Sequence, residues 1–404
     1  MTPPAVLEST ATLPGVVRAP ICDRTIRVAG YELIVQHGGG GSVETWVEAL
    51  AEVGIDLVVA GKGWIPVTSE IVLSGFLTAK LPAERLVLVA TPGTLTNQAA
   101  VAALDRLQGN GFEVAVEAFM GEEVPFIDKA DWIVIDGTVD RPQLVTTVNA
   151  VRGKRGRLIA KGLETYEQFD ACKALDLDLY QGSFFTRPRV ADGAGIKVNT
   201  MAKLKLVADL YDPNVDINKL GELVSTDLGL SHGLMRYVNS ASLALPRRIE
   251  SVQHALVMLG LQHVRRWMTT MTLADSTEKP PELLITGLVR AAMMEKIAVA
   301  RGQKAQRDTY FTTGLFSVID ALIDAPMREL LDELPLTDVI NDALLTHRGP
   351  MGELLAAIIA YESGDFDKLY ALVPDGTKPA TFYRQALEWA AETRTGLVTD
   401  VPDV

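Results

Sequence analysis

The sequence contains few cysteines and no long apolar run. Among its 404 residues only Cys22 and Cys172 are cysteines, and they lie far apart, so neither a disulfide framework nor a cysteine-bound zinc site is expected. No stretch approaches the roughly 20 apolar residues that cross a bilayer. Residues 1–15 have neither the basic region nor the apolar core of a signal peptide. These absences together predict a cytoplasmic protein without membrane insertion.

Positive charge is also scarce. The chain has 38 lysines and arginines against 51 aspartates and glutamates, which gives a formal net charge of −13. Such a chain is repelled by phosphate backbones, so nucleic acid is not expected as a partner. The short basic segments 152–157 and 247–248 are interpreted as solvated surface. Hydrophobic residues make up 48% of the chain, enough for two buried cores.

In the first half of the chain, short β-branched runs alternate with helical stretches. Helices are predicted over residues 43–53, 95–107 and 166–175. The strand-like runs cover residues 25–35, 55–60, 64–67, 86–90, 113–119, 132–135, 158–160 and 178–180. Repeated alternation over about eight strands predicts a closed (β/α) barrel rather than a small open sheet.

The second half has a helical pattern from Met201 onward and no convincing strand. Residues 187–200 contain Pro188, Gly193 and Gly195 and little apolar periodicity, which is typical of a linker. We therefore predict two domains, an α/β domain over residues 1–190 and an all-α domain over residues 191–404.

Four consecutive glycines, Gly38 to Gly41, lie between a predicted strand and a predicted helix, where a phosphate can be bound. The segment has neither the GxxxxGK[ST] pattern nor the GxGxxG spacing. It is therefore interpreted as a flexible loop, with Ser42 as the cap of the next helix and Glu44 in its first turn.

Several segments of the first half, taken in order, resemble the EAL domain, the cyclic di-GMP phosphodiesterase family. Residues 18–21 and 28–33 resemble the opening strand with the EAL signature. Residues 158–165 (LIAKGLET) resemble the AEGVET segment, and residues 180–188 (YQGSFFTRP) resemble QGYYFSRP. The resemblance implies an EAL-type (β/α) barrel whose site lies at the carboxyl ends of the strands, where the family holds divalent metals that activate water.

This chain departs from the EAL pattern at most of its polar positions. Residues kept or partly kept are Glu32, Glu117, Asp136, Glu164 and Gln181, whereas Lys161 replaces a glutamate. The positions of other polar groups hold Gln36, Pro66, Val89, Ala118 and Val134. Hard divalent cations need several oxygen ligands, so we expect no metal and no hydrolysis.

Two roles remain open for the surviving polar residues. The ammonium of Lys161 could replace a metal by pairing with Glu32 or with Glu164. Alternatively, the retained residues could serve only to satisfy one another's hydrogen bonds.

The second half resembles the HDOD domain. Residues 220–241 match its "D..L...LLR.VNSA" segment, and residues 249–260 match "I.SI..AI..LG". Ser317 and Val318 stand where the related HD phosphohydrolases have their metal-binding His-Asp dyad, so a degenerate dyad without metal is expected. Asn239 is interpreted as a hydrogen-bonding residue at a helix end or turn.

The two resemblances imply a bacterial signalling protein that acts by binding. The leading hypothesis is a catalytically inactive adaptor that needs no cofactor and whose partners are other signalling proteins. The alternative is a receptor that binds cyclic di-GMP without cleaving it, and an active phosphodiesterase is the third hypothesis.

Overall fold

A computed structural model describes residues 14–36, 42–55, 58, 60–118, 124–189, 198–211, 216–239, 248–274 and 279–398. The loop glycines 38–41 lie outside these residues. Contacts group the chain into two compact units, one of residues 1–22, 28–161 and 175–181, the other of residues 23–27, 162–174 and 182–404. The domain boundary predicted near residue 190 stays a prediction. Within the described residues, no helix combines the length and the apolar character needed to cross a bilayer.

Eight strands form a closed barrel in sequence order. They are β1 (Val16–Cys22), β2 (Val28–Val35), β3 (Lys62–Val67), β4 (Leu86–Ala90), β5 (Glu113–Ala118), β6 (Trp132–Asp136), β7 (Arg157–Leu163) and β8 (Leu179–Gly182). From β2 to β7 neighbouring strands run parallel. The predicted barrel is confirmed.

The first strand differs from the prediction. β1 runs antiparallel to both β2 and β8. A turn at Asp23 produces this reversal: its Oδ1 accepts hydrogen bonds from the backbone N–H groups of Thr25 and Arg27 and from the Thr25 hydroxyl. The strand predicted at residues 55–60 is wrong, since Ile55, Val58 and Ala60 lie outside any strand and a π-helical turn, Leu50–Gly54, continues the preceding helix.

Among the described residues, the strands are accompanied by the helices α1 (Val43–Ala49), α2 (Ser69–Leu73), α3 (Phe76–Lys80), α4 (Pro92–Leu95), α5 (Gln98–Gly109), α6 (Arg141–Val151) and α7 (Tyr166–Lys173). Their starts follow ordinary capping chemistry. The Ser42 hydroxyl accepts from Thr45 N at 3.2 Å, as predicted, and Thr165 and Gln168 form a capping box at α7.

The rest of the described chain is helical, and the predicted helical bundle is confirmed. Its helices are α8 (Val198–Tyr211), α9 (Ile217–Thr226), α10 (Leu228–Val238), α11 (Val252–Ala274), α12 (Pro281–Ala300), α13 (Arg307–Phe316), α14 (Ile319–Ile323), α15 (Met327–Glu333), α16 (Asp338–Thr346), α17 (Gly349–Glu362), α18 (Asp367–Leu372) and α19 (Pro379–Val398). α11 breaks at Gly260, whose φ is 77°. α12 is buried on most of its surface and is therefore the central helix of its neighbourhood.

Side chains inside the barrel form three layers, because every second residue of a strand faces the lumen. The middle layer is apolar and includes Val89, Ala115, Val134 and Ile159. In β5, β6 and β7, side chains with polar groups lie two residues before and two residues after these positions, whereas Val87, two residues before Val89, is apolar. The lower layer, at the amino ends of the strands, contains Lys62, Glu113, Trp132 and Arg157, and the upper layer, at the carboxyl ends, contains Glu32, Glu117, Asp136, Lys161 and Gln181.

The lower layer is held together by Glu113. Its carboxylate accepts from Trp132 Nε1 at 2.7 Å and pairs with Lys62 Nζ at 3.0 Å, while the Arg157 guanidinium stacks 3.7 Å from a Trp132 ring centroid. Burial raises the pKa of Glu113, but the bonds from Trp132 and Lys62 and the nearby positive charges outweigh it and lower the pKa below 4.5.

We expect the substitution Glu113→Gln to destabilise the barrel by about 1–2 kcal/mol at neutral pH, because it removes an ionised acceptor of two bonds. A carboxylate with a lowered folded pKa stabilises the fold above its unfolded pKa and loses this effect as the pH falls through the folded pKa. Chemical denaturation at several pH values should therefore show that the variant has a lower free energy of unfolding near pH 7 and nearly the same free energy of unfolding in acid. A deficit independent of pH would contradict this role.

Candidate functional site

The upper layer brings together residues from five strands of the barrel. Glu32 lies in β2, Glu117 in β5, Asp136 at the end of β6, Lys161 in β7 and Gln181 in β8. The carboxyl ends of the strands are the edge where barrels of this type place their functional sites. The layer contains three carboxylates and one ammonium, so negative charge exceeds positive charge among its members.

Glu32 is the centre of the layer. Lys161 Nζ lies 2.6 Å from Glu32 Oε1, and Gln181 Nε2 donates to Glu32 Oε2 at 2.9 Å. The Glu32 side chain is only 9% exposed, whereas that of Lys161 is 37% exposed. Both carboxylate oxygens are therefore occupied by donors from the same chain. Of the two pairings that the sequence left open for Lys161, the structure shows the one with Glu32.

Glu117 is the titratable group that this environment perturbs. Burial raises its pKa above 4.5, and the charges of Glu32 and Asp136 raise it further, while the Lys161 ammonium acts in the opposite direction. One ammonium thus compensates only part of the negative charge in the layer.

Asp136 and Glu164 do not share hydrogen bonds with Glu32, contrary to the hypothesis that the retained residues satisfy one another. Asp136 Oδ1 accepts from the backbone N–H and the hydroxyl of Thr138 at 2.8 and 2.7 Å. Glu164 is 67% exposed and lies 3.8 Å from Arg187 Nη2. It follows the end of β7, where the chain turns into the capping box of α7, so it leaves the lumen. Only Glu32 and Gln181 follow that hypothesis.

The positions at which the sequence lacks the family's polar groups have ordinary structural roles. Val89 and Val134 are buried in the apolar middle layer. Pro66 lies within β3, and Ala118 ends β5 opposite Ile135. Gln36 follows β2, and its Oε1 accepts from Gly15 N at 3.3 Å.

Divalent metals, which the EAL resemblance implies, do not fit this set of side chains. A hard cation needs several free oxygen ligands, yet both oxygens of Glu32 are taken and an ammonium lies at 2.6 Å. Val89 and Ala118, which the resemblance places where the family has metal-facing carboxylates, offer no side-chain oxygen. Across the part of the chain that the structure describes, no three His, Cys, Asp or Glu side chains group so as to hold a metal ion.

The Lys161–Glu32 pair can be tested by a double-mutant cycle. Lys161→Met leaves a nearly buried carboxylate without its cation, and we expect a loss of about 1–3 kcal/mol, reduced by the partial exposure of Lys161. Glu32→Gln in the same chain should recover part of this loss. Lys80→Met, at a surface ion pair with Glu48, is the matched control and should cost less than about 1 kcal/mol. Strictly additive effects would show that the pair does not stabilise the barrel.

The degenerate dyad lies at the junction of α13 and α14. Val318 is fully buried, and Ser317 Oγ donates to the Gly314 carbonyl at 2.7 Å. Asn239 is a hydrogen-bonding residue at a helix end: its side chain accepts from Ile249 N at 2.7 Å and donates to Ile249 O at 2.9 Å. It thus joins the end of α10 to the segment that precedes α11.

Asp320 is a perturbed residue that the sequence reasoning missed. It lies two residues after the degenerate dyad, and burial raises its pKa from 3.8 to about 6, despite a bond from Ala321 N and the charge of Arg290. The sequence signal was available, since Asp320 interrupts the apolar run from Val318 to Ile323. A carboxyl group in such a run is expected to be buried with its helix face.

Asp320→Asn should stabilise the protein at neutral pH by on the order of 1–3 kcal/mol. A carboxyl group whose folded pKa is raised loses stability as the pH rises from its unfolded pKa, near 4, through about 6, and the amide has no such loss. Thermal unfolding should show the gain above pH 6 and little gain at pH 4. Asp342→Asn, at an exposed aspartate of α16, is the control. A gain that persists at pH 4 would have another cause.

Comparison with known proteins identifies the helical part and finds relatives of nearly full length. The family model described as "HDOD domain" matches residues 199–330. The uncharacterized protein YuxH of Bacillus subtilis (strain 168) is 25% identical over 399 residues, covering 93% of this chain and 97% of YuxH. The cyclic di-GMP phosphodiesterase CdgJ of Vibrio cholerae is 26% identical over 376 residues, covering 89% of this chain and 87% of CdgJ.

Solved structures also match the first part of the chain. An EAL domain protein from Listeria monocytogenes matches with 17% identity and a TM-score of 0.35, covering 43% of this chain and 87% of that one. The YkuI protein of Bacillus subtilis, which has an EAL domain, matches with 13% identity and a TM-score of 0.34, covering 41% of this chain and 52% of that one.

Proposed function

We propose that this chain, which joins an EAL-type barrel to an HDOD domain, acts in cyclic di-GMP signalling as an inactive relative of the phosphodiesterases that works by binding other signalling proteins. The observation that carries the proposal is the ammonium of Lys161 on the carboxylate of Glu32, 2.6 Å away. The ammonium occupies the retained glutamate of the EAL signature, and its positive charge repels a metal ion.

Hydrolysis of a phosphodiester by this family's route requires a metal-activated water. In the upper layer, each oxygen of the glutamate that matches the signature already accepts from a donor of this chain, and two positions that bear polar side chains in the family are Val89 and Val134. Loss of a single positioned group typically reduces such a rate by about 100-fold or more. Several losses at one site leave no route to a useful rate.

The similarity to CdgJ instead supports an active phosphodiesterase, because that relative is named as a cyclic di-GMP phosphodiesterase and aligns over most of both chains. A turnover assay decides between the two. We expect full-length protein at high concentration to give no product from cyclic di-GMP with magnesium or manganese. Product that depends on metal and disappears in Glu32→Ala, but persists in the surface variant Glu44→Ala, would show that the chain is an active phosphodiesterase.

The second candidate function is a cyclic di-GMP receptor without hydrolysis. Two phosphates placed at the upper layer would face the carboxylates of Glu32 and Asp136, and the Lys161 ammonium is already paired. Phosphate recognition depends on charge-assisted bonds that this layer does not offer. We therefore expect weak binding.

Isothermal titration of the full-length protein with cyclic di-GMP measures this affinity. A dissociation constant weaker than micromolar agrees with the adaptor. Micromolar or tighter binding that is lost in Lys161→Gln and kept in Lys80→Gln would favour the receptor instead.

The adaptor role itself predicts a direct protein partner. Affinity capture from the native host, with and without cyclic di-GMP, should yield a signalling protein whose purified form binds the purified chain stoichiometrically. If no captured protein binds this chain when both are purified, that result would argue against the adaptor role.

A further inference from the structure

A buried guanidinium lies in the centre of the helical domain. Arg290, from the middle of α12, is 6% exposed. Its Nε donates to Glu362 Oε2 at 2.9 Å and its Nη2 to the same oxygen at 2.8 Å, with Nε also 3.2 Å from Oε1. Glu362 is the last residue of α17. This ion pair therefore joins the two helices.

The same guanidinium reaches the degenerate dyad. Arg290 Nη1 donates to Ser317 Oγ at 3.3 Å, and that hydroxyl in turn donates to the Gly314 carbonyl at the end of α13. Arg290 thus bonds to residues at two places, the C-terminal end of α17 and the junction of α13 and α14.

Two glycines bring this junction against α12. A Cβ atom on Gly314 would lie 2.6 Å from Ala291 Cα, and a Cβ on Gly287 would lie 2.7 Å from Val318 Cγ2. Both distances are too short for an added Cβ, so the backbone at Gly314 lies close to the α12 backbone and the Val318 side chain packs against Gly287. The guanidinium spans this close contact.

We propose that Arg290 is a fixed structural cation of the HDOD domain that positions the α13–α14 junction, at the place where the related HD phosphohydrolases have their metal-binding dyad. A guanidinium suits this role because it is permanently charged, planar and supplies donors in several directions. Like a bound metal, it crosslinks separate elements through oxygen atoms. Unlike a metal, it cannot be exchanged or removed by a chelator.

This inference rests on the proposal that the HDOD domain works without metal, but its test does not involve the barrel. A positive result in the turnover assay would therefore leave it untouched. It concerns local order around residues 314–323, and hydrogen exchange on the full-length protein reports that order directly.

We expect Arg290→Met to accelerate exchange of the amides at residues 314–323 by more than about 10-fold, because it leaves Glu362 without its cation. Arg290→Lys should restore only part of the protection, since an ammonium does not reproduce the planar guanidinium contacts. Arg384→Met, at an exposed arginine of α19 that pairs with Glu388, is the control and should leave these amides unchanged. Treatment of the unaltered protein with EDTA should also leave them unchanged.

A milder variant guards against misfolding of Arg290→Met. Ser317→Ala removes one bond, and we expect exchange at residues 314–323 to rise about 2- to 10-fold while the rest of the domain keeps its protection. Unchanged exchange at these amides in both Arg290→Met and Ser317→Ala would overturn the proposal. Accelerated exchange after EDTA would overturn it as well, because a metal would then hold the junction.

Discussion

Closure of the barrel is the constraint on which the rest of the first domain depends. Once eight strands close, every second side chain faces one narrow lumen, and each charge placed there must find its partner inside it. The apolar middle layer around Val134 separates the charges of the lower layer from those of the upper layer. Each polar layer must therefore balance its own charge.

The two polar layers solve this problem to different degrees. In the lower layer one carboxylate, Glu113, has Lys62, Arg157 and the indole N–H of Trp132 around it, and its pKa is lowered. In the upper layer one ammonium serves several carboxylates, and the pKa of Glu117 is raised. The negative charge of the lower layer is thus compensated by its neighbours, as in a stabilising ion-pair network. The upper layer keeps negative charge that its single ammonium does not fully compensate.

The sequence pattern predicted most of the fold, because strands buried on both faces consist of apolar, β-branched runs. The missed strand, β1, contains Arg18 and Pro20, which break that run, and its direction is set by the Asp23 turn rather than by periodicity. The false strand at 55–60 begins where a helical segment ends, because the π-helical turn Leu50–Gly54 continues the helix that starts at Val43. Apolar runs of this length do not distinguish helix from strand.

The site was harder to anticipate than the fold. The motifs gave the candidates, but the role of each residue depended on a distance that sequence does not encode. Lys161 and Glu32 are 129 positions apart, and only the closed barrel brings their charges to 2.6 Å. Glu164 lies three residues after Lys161, yet the turn into α7 removes it from the lumen. Asp320 lies beside the degenerate dyad and was missed because no motif includes it.

A side-chain cation differs from a metal in what can control it. A metal site is filled or emptied by the supply of the ion, so its charge follows the composition of the surroundings. Lys161 is part of the barrel itself, so the upper layer keeps this cation whatever the supply of metal ions. The exposure of Lys161 allows its ammonium to turn outward only if Glu32 is neutralised or receives another donor. A ligand that opens this pair must therefore itself bring positive charge or hydrogen-bond donors to Glu32.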